Sequence, residues 1–230
     1  KMRELRAIIN KAINRDVISP DLYPFKKYKI SKLRSSIKKR ASSVEDFKKI
    51  KTIDLSEYPY LKEAHNYFLF SFYTRGMNFV DMMYLRWSDI QNGRIYYTRS
   101  KTKGQFSIEL TENVQEMLYY FKSQNRDTDY VFPILLSEDL TPIQIANRKH
   151  KVLSRYNKKL KEIAKLAKVE ANLTSYVARH SFATILKQIG TSTDVISELM
   201  GHSDVQVTMS YLKGFDTETL DKENRKLLGL

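Results

Sequence analysis

At 230 residues, 42% of them apolar, the chain can bury one good-sized core, with room for only a small appendage. The lack of cysteine excludes a disulfide framework and thiolate metal sites, and four scattered histidines with no HExxH pair argue against zinc, so chemistry without metal or cofactor is expected. No apolar run reaches bilayer length and the charged start has no signal-peptide core, which makes a cytoplasmic protein the expectation, while a formal charge of +14 attracts polyanions.

That charge is unevenly spread, because residues 1–51 hold 16 Lys and Arg against 5 Asp and Glu and the remainder carries only +3. Met2, Leu5, Ile8, Ile9, Ala12 and Ile13 fall at helical spacing, so residues 2–15 read as an amphipathic helix with an apolar face to bury, part of a basic arm suited to nucleic acid. The helix begins without a cap or a starting Met, as though cut from a longer protein. "SPDLYPFKKYKISK" (19–32), with two prolines and a lysine cluster, reads as a linker.

Ser42 and Glu45 have capping-box spacing and open an expected helix over about 43–50. Tyr60 to Arg75 reads as one strongly apolar helix, and "FVDMMYL" (79–85) as a shorter second one. "GRIYYTRSKTKGQFSIEL" places β-branched and aromatic residues on both sides of a Lys/Thr/Gly turn, which predicts a β-hairpin over about 94–110. "YVF" (130–132) is a candidate extra strand. Helices are expected at 111–124, in the basic stretch 142–168, and near 175–189, 192–200, 205–212 and 216–227. The basic stretch fits a solvated surface helix as well as it fits contact with DNA. The fold class is therefore mainly α (α+β), a helical domain with one small hairpin.

Chemistry concentrates near the end. "TSYVARHSFATIL" (174–186) is followed by "GHSDVQVTMSYLKGF" (201–215), so Arg179, His180 and His202 precede Tyr211 within about thirty residues. A tyrosine hydroxyl, with a pKa near 10, is a poor nucleophile until cationic neighbours stabilise the charge that develops on phenolate and phosphate. Each residue alone carries little weight, since an arginine is commonly a surface ion pair and fifteen tyrosines are present.

Order and spacing alter that weight. "ARHSFAT", then "LMGHSDVQVTMSY" with His202 nine residues before Tyr211, resembles the C-terminal signature of the tyrosine recombinase (phage-type integrase) family. Upstream, "YLRWSDI" (84–90) is similar to the family's Leu-x-Trp-x-Asp-Ile segment, "SKTKG" (100–104) sits where the family carries its catalytic lysine, and "PFKKYKISK" resembles the end of its core-binding domain. The resemblance implies that residues 1–40 are the last helix and linker of a core-binding domain and 41–230 a catalytic domain.

It further implies that Tyr211 attacks a DNA phosphate to give a 3′-phosphotyrosyl intermediate, that Arg179 clamps nonbridging oxygens, that Lys101, in preference to Lys103, protonates the leaving 5′-oxygen, that His202 bonds the phosphate, and that His180 supports the site. Two positions depart from the pattern. Tyr176 stands where the family usually has His, and Asn78 where its first arginine stands; were the helix to continue, Arg75 would lie one turn from Asn78 and could substitute.

The implied activity is site-specific recombination of double-stranded DNA, as the integrase or excisionase of a mobile element or as an invertase. The implied assembly is a homotetramer on synapsed DNA, its "DTETLDKENRKLLGL" tail docked on a neighbouring protomer, with no membrane partner and a bacterial nucleoid setting while acting. A type IB topoisomerase, or a DNA-binding protein with impaired catalysis, are the alternatives.

Overall fold

The computed structural model of the chain describes residues 2–28, 43–170, 172–202, 205–209 and 212. The chain divides into two compact units, Lys1–Lys39 and Arg40–Leu230.

In the first unit, α1 (Met2–Ile13) is followed by two short 3-10 turns, Pro20–Leu22 and Pro24–Lys26, each opened by its proline. Tyr23 folds back so that its hydroxyl accepts a bond from Arg6 Nε at 2.8 Å. Leu5 and Ile8 are exposed while Met2, Ile9, Ala12 and Ile13 are half-buried, so the apolar stripe expected to be buried is only partly covered.

The second unit is built around one helix. Following a 3-10 turn at Pro59–Leu61, α3 (Lys62–Tyr73) is buried without interruption from Ala64 to Ser71, as a helix surrounded by other elements must be. Around it pack α5 (Glu112–Ser123), α6 (Pro142–Leu166) and α7 (Ser175–Gln188). α5 contributes Val114, Met117, Leu118 and Phe121, the single face that helical periodicity dictates. At the centre Phe132 lies edge-on to Tyr67, Phe70 and Phe121, with centroids 5.4, 4.8 and 4.9 Å away.

α2 (Val44–Lys51) stacks Phe47 on Phe72 of α3. Its cap differs from expectation: Ser43 Oγ accepts from Asp46 N at 3.0 Å, so the capping side chain is one residue later than Ser42 and its partner is the Asp46 amide. α6 does carry a full capping box, in which Thr141 and Gln144 exchange bonds and Pro142 takes the first helical position.

The hairpin forms from β2 (Arg94–Thr98) and β3 (Gln105–Glu109), and a two-residue strand β1 (Ile90–Gln91) extends it to an antiparallel sheet of order β1-β2-β3. "YVF" is not a strand. Tyr130 makes one isolated bridge with Arg86, and Pro133 has no N–H with which to extend the ladder.

The long helix expected from 60 to 75 also stops early. Thr74 directs both its N–H (2.9 Å) and its hydroxyl (2.6 Å) to the Phe70 carbonyl, after which Arg75 (φ 57°) and Gly76 (φ 70°) turn left-handed. Ser71 Oγ secures the turn on Met77 O at 2.7 Å, and the chain re-enters helix as α4 (Phe79–Tyr84).

After α7 come α8 (Thr193–Leu199) and the short α9 (Val205–Met209), with Ala183, Ile196 and Met200 forming a satellite cluster. The helix expected at 216–227 lies outside the described residues. Among the described residues no helix is long and apolar enough to cross a membrane. Phe132→Ala should lower unfolding free energy by about 3–5 kcal/mol, measured by urea denaturation, because three aromatic partners would face a cavity.

Candidate active site

The end of α8 defines the site. Gly201 takes φ 61°, its N–H bonds Glu198 O at 2.8 Å and the His202 N–H bonds Ser197 O at 3.0 Å, which is the Schellman closure of a helix C-terminus. That closure leaves the carbonyls of Met200 and Gly201 unpaired and directed at cations. Two buried arginines take them. Arg179, 3% exposed on α7, donates through Nη2 to Met200 O at 2.7 Å and through Nη1 to Gly76 O at 2.9 Å. Arg99, 6% exposed just beyond β2, donates through Nη1 to Met200 O at 2.8 Å and to Gly201 O at 3.1 Å.

His202 joins the same group. Arg179 Nη2 lies 2.9 Å from His202 Nε2, and a guanidinium can only donate, so Nε2 is the acceptor and the ring is neutral with its proton on Nδ1. That proton goes to Thr208 Oγ1 at 2.7 Å, on α9. Burial, then the charges of Arg179, Arg99 and Lys101, push the His202 pKa down to about 4, in keeping with a neutral ring.

The hairpin is fastened to this centre at its turn. Asp81, buried on α4, accepts the Ser100 N–H at 2.9 Å, and Arg99 closes the turn by bonding Gly104 O at 2.8 Å through its own N–H. Lys101 is exposed on that turn yet near enough for its charge to act on His202. Lys103 is exposed too, with a left-handed backbone (φ 60°). Gly76 is required where it stands, since a Cβ there would lie 2.8 Å from Arg179 Cγ.

Arg179, His202 and, through its charge, Lys101 therefore converge. Tyr176, 39% exposed, and His180 sit one turn apart on α7 with their rings edge-to-face at 4.6 Å. Tyr211 lies outside the described residues, although Leu212 N still bonds Thr208 O at 3.2 Å. Arg75 does not share a helical face with Asn78, because α3 ends before it and Asn78 occupies the N-cap position of α4. Its charge, with those of Arg179 and Arg99, is still felt by Tyr97, whose hydroxyl burial pushes far above its usual range.

Arg99, Asp81 and Thr208 were not anticipated from sequence. A signal for Arg99 was present, since alternation along the strand puts residue 99 on the face of Ile95 and Tyr97. Among the described residues no three His, Asp or Glu side chains gather as a metal site would require.

The sequence model of the phage integrase family matches residues 48–218. Tyrosine recombinase XerD of Staphylococcus epidermidis (strain ATCC 35984) is 30% identical over 143 residues, 60% of this chain and 46% of the relative. XerD of Staphylococcus aureus (strain N315) is 36% identical over 81 residues, covering 34% of this chain and 28% of the relative. The chain thus spans less than half the length of these relatives.

Among solved structures, the Tn1549 transposon integrase in complex with transposon right end DNA superposes with TM-score 0.69 at 17% identity, covering 98% of this chain and 77% of that one. A lambda integrase tetramer bound to a Holliday junction gives TM-score 0.62 at 16% identity, over 93% of this chain and 59% of that one. At such identities these likenesses speak to the fold.

Two predictions test the geometry. Gly76→Ala should cost about 1–3 kcal/mol in urea unfolding, because the left-handed φ is strained for alanine and the methyl displaces Arg179. For His202, folding favours the neutral ring, so its contribution is complete above about pH 6.5 and is lost as pH falls toward about 4, the unfolded chain taking up the proton first. Buried His65, whose pKa burial also lowers, adds in the same direction. Thermal melts should therefore show a shallower acid loss for His202→Gln than for the parent, and parallel curves would contradict a desolvated, neutral His202.

Proposed function

The chain belongs to the phage integrase family, and from that premise we propose that it is a site-specific DNA recombinase, the integrase or excisionase of a mobile element or a DNA invertase, cutting and rejoining duplex DNA through a 3′-phosphotyrosyl intermediate. The observation that carries the reading is the convergence of Arg179, His202 and the Lys101 charge on the end of α8, three residue types suited to one phosphate and held by three different elements.

In this reading Tyr211 Oη attacks phosphorus, its proton leaving to water, and the bond from phosphorus to the 5′-oxygen breaks. Lys101 supplies the proton that the 5′-oxygen needs. A 5′-hydroxyl of another strand then attacks the phosphotyrosyl phosphorus and returns that proton to Lys101, and the bond from phosphorus to Tyr211 breaks, its phenolate taking a proton back from water. The phosphodiester energy is conserved, so neither ATP nor metal enters the balance.

Arg179 is already oriented by Gly76 O and Met200 O, so its fork meets a phosphate with little reorganisation. A phosphate there competes for the Nη2 proton that His202 now accepts, and the anion favours the imidazolium, from which Nε2–H can bond the phosphate. Tyr176 and His180 stand beside Arg179 on the same helix as supporting groups.

Residues 1–40 act as the end of a core-binding domain and 41–230 as the catalytic domain. Duplex DNA at specific sites is the partner, with a homotetramer forming on synapsed sites and the C-terminal tail docking on a neighbouring protomer. The protein works in the bacterial cytoplasm on the nucleoid. The lambda integrase tetramer on a Holliday junction lends support to the assembly by likeness of fold.

Tyr211→Phe is expected to form no denaturation-resistant adduct with nicked duplex DNA from the regions flanking its gene, while its DNA affinity stays within about twofold of the parent. Adduct formation by the parent should persist in excess EDTA. An adduct in the phenylalanine variant would remove Tyr211 from its role, and no adduct with the parent would remove the reading itself.

A further inference from the structure

The site as built has a surplus of positive charge and lacks an arginine at the position where the family places its first. Asn78, which stands there, is neutral, and its Nδ2 lies 3.5 Å from Asp81. Arg75 stands left-handed in the turn between α3 and α4 and shares no helical face with Asn78. Arg99, by contrast, is buried against the very carbonyl that Arg179 uses.

Both guanidinium groups donate to Met200 O, so their Nη atoms are no farther apart than two hydrogen bonds laid end to end. Like charges at that separation repel, and burial removes the water that would screen them. Arg99 has no carboxylate partner among the described residues, and its Nε is buried without a hydrogen-bond acceptor. Asp81, the buried carboxylate of this corner, is engaged with the Ser100 N–H. An arrangement of this kind is completed by an anion.

We propose that Arg99 is the second arginine of the phosphate site, supplying from the hairpin the charge that Asn78 lacks. The inference rests on the recombinase reading above. In the attack by Tyr211 no bond is made to Arg99. As phosphorus becomes pentacoordinate the phosphate gains a second negative charge, and Arg99 balances it beside Arg179. Its place two residues before Lys101 puts charge compensation and proton donation on one turn, which Asp81 holds at the Ser100 N–H.

The test uses the full chain and a nicked duplex bearing the cleavage sequence recovered from the parent protein's own adduct on gene-flanking DNA, made with either a phosphate or a neutral methylphosphonate at the scissile position. Arg99→Ala should form adduct roughly 100- to 1000-fold more slowly on the phosphate. On the methylphosphonate, where the charge to be balanced is gone, it should come within about tenfold of the parent.

Equal loss on both substrates would mean that Arg99 only holds the Met200 and Gly201 carbonyls, and no loss on either would place it outside the site. Each result overturns the proposal while leaving the recombinase reading intact. Absence of adduct with the parent overturns both. If circular dichroism shows Arg99→Ala unfolded, Arg99→Lys and Arg99→Gln carry the test, since both lose the fork and only lysine keeps the charge. Lysine should exceed glutamine by about tenfold or more on the phosphate and match it on the methylphosphonate; equality on the phosphate would overturn the proposal.

Discussion

The carbonyl oxygen of Met200 accepts hydrogen bonds from two buried guanidinium groups that arrive from different parts of the chain. A helix end must satisfy its last carbonyls, and the Schellman turn at Gly201 deals with only some of them. The unpaired remainder at Met200 and Gly201 draws in Arg179 from α7 and Arg99 from the hairpin. With Arg179 fixed, His202 has one tautomer. A helix terminus, ordinarily a place where order fades, is here the point on which three elements are registered.

Close approach makes that registration possible. A Cβ at Gly201 would lie 2.2 Å from Phe106 Cζ, so the sheet packs directly against the turn, and Phe106 in turn stacks on Tyr97 at 5.0 Å. On the opposite side Gly76 allows the α3–α4 turn to touch the backbone of Arg179, whose Cα would be 3.1 Å from an added Cβ. Asp81 completes the frame by holding the turn at Ser100. A larger residue at Gly76 would have to move Arg179, and one at Gly201 would have to move Phe106.

Much of the architecture was readable because it rests on periodicity. The helix expected at 111–124, which buries the stripe Val114, Met117, Leu118 and Phe121, and the β2–β3 alternation are local patterns that tertiary contacts reinforce. What could not be read was decided by contacts distant in sequence or by one backbone angle. Nothing in "FYTRGMN" announces that Thr74 will spend two donors on Phe70 O and that a non-glycine, Arg75, will go left-handed, so the helix was expected to reach Arg75. Tyr130 needed a second ladder partner that Pro133 denies. Within the site, Arg179 and His202 stood out by their order, whereas Arg99 was distinguished only by the fold that buries it.

α9 has five described residues, too few for a helix to persist by its own hydrogen bonds. Its anchorage includes Thr208, fully buried and bonded to the imidazole of His202, three positions before Tyr211 in the chain. If α9 lifts away, His202 loses the acceptor that fixes its tautomer at the same moment. Seating α9 and setting the imidazole are thus one mechanical event, and the fold contains its own interlock: when α9 is undocked, the ring beside Arg179 also loses its fixed orientation.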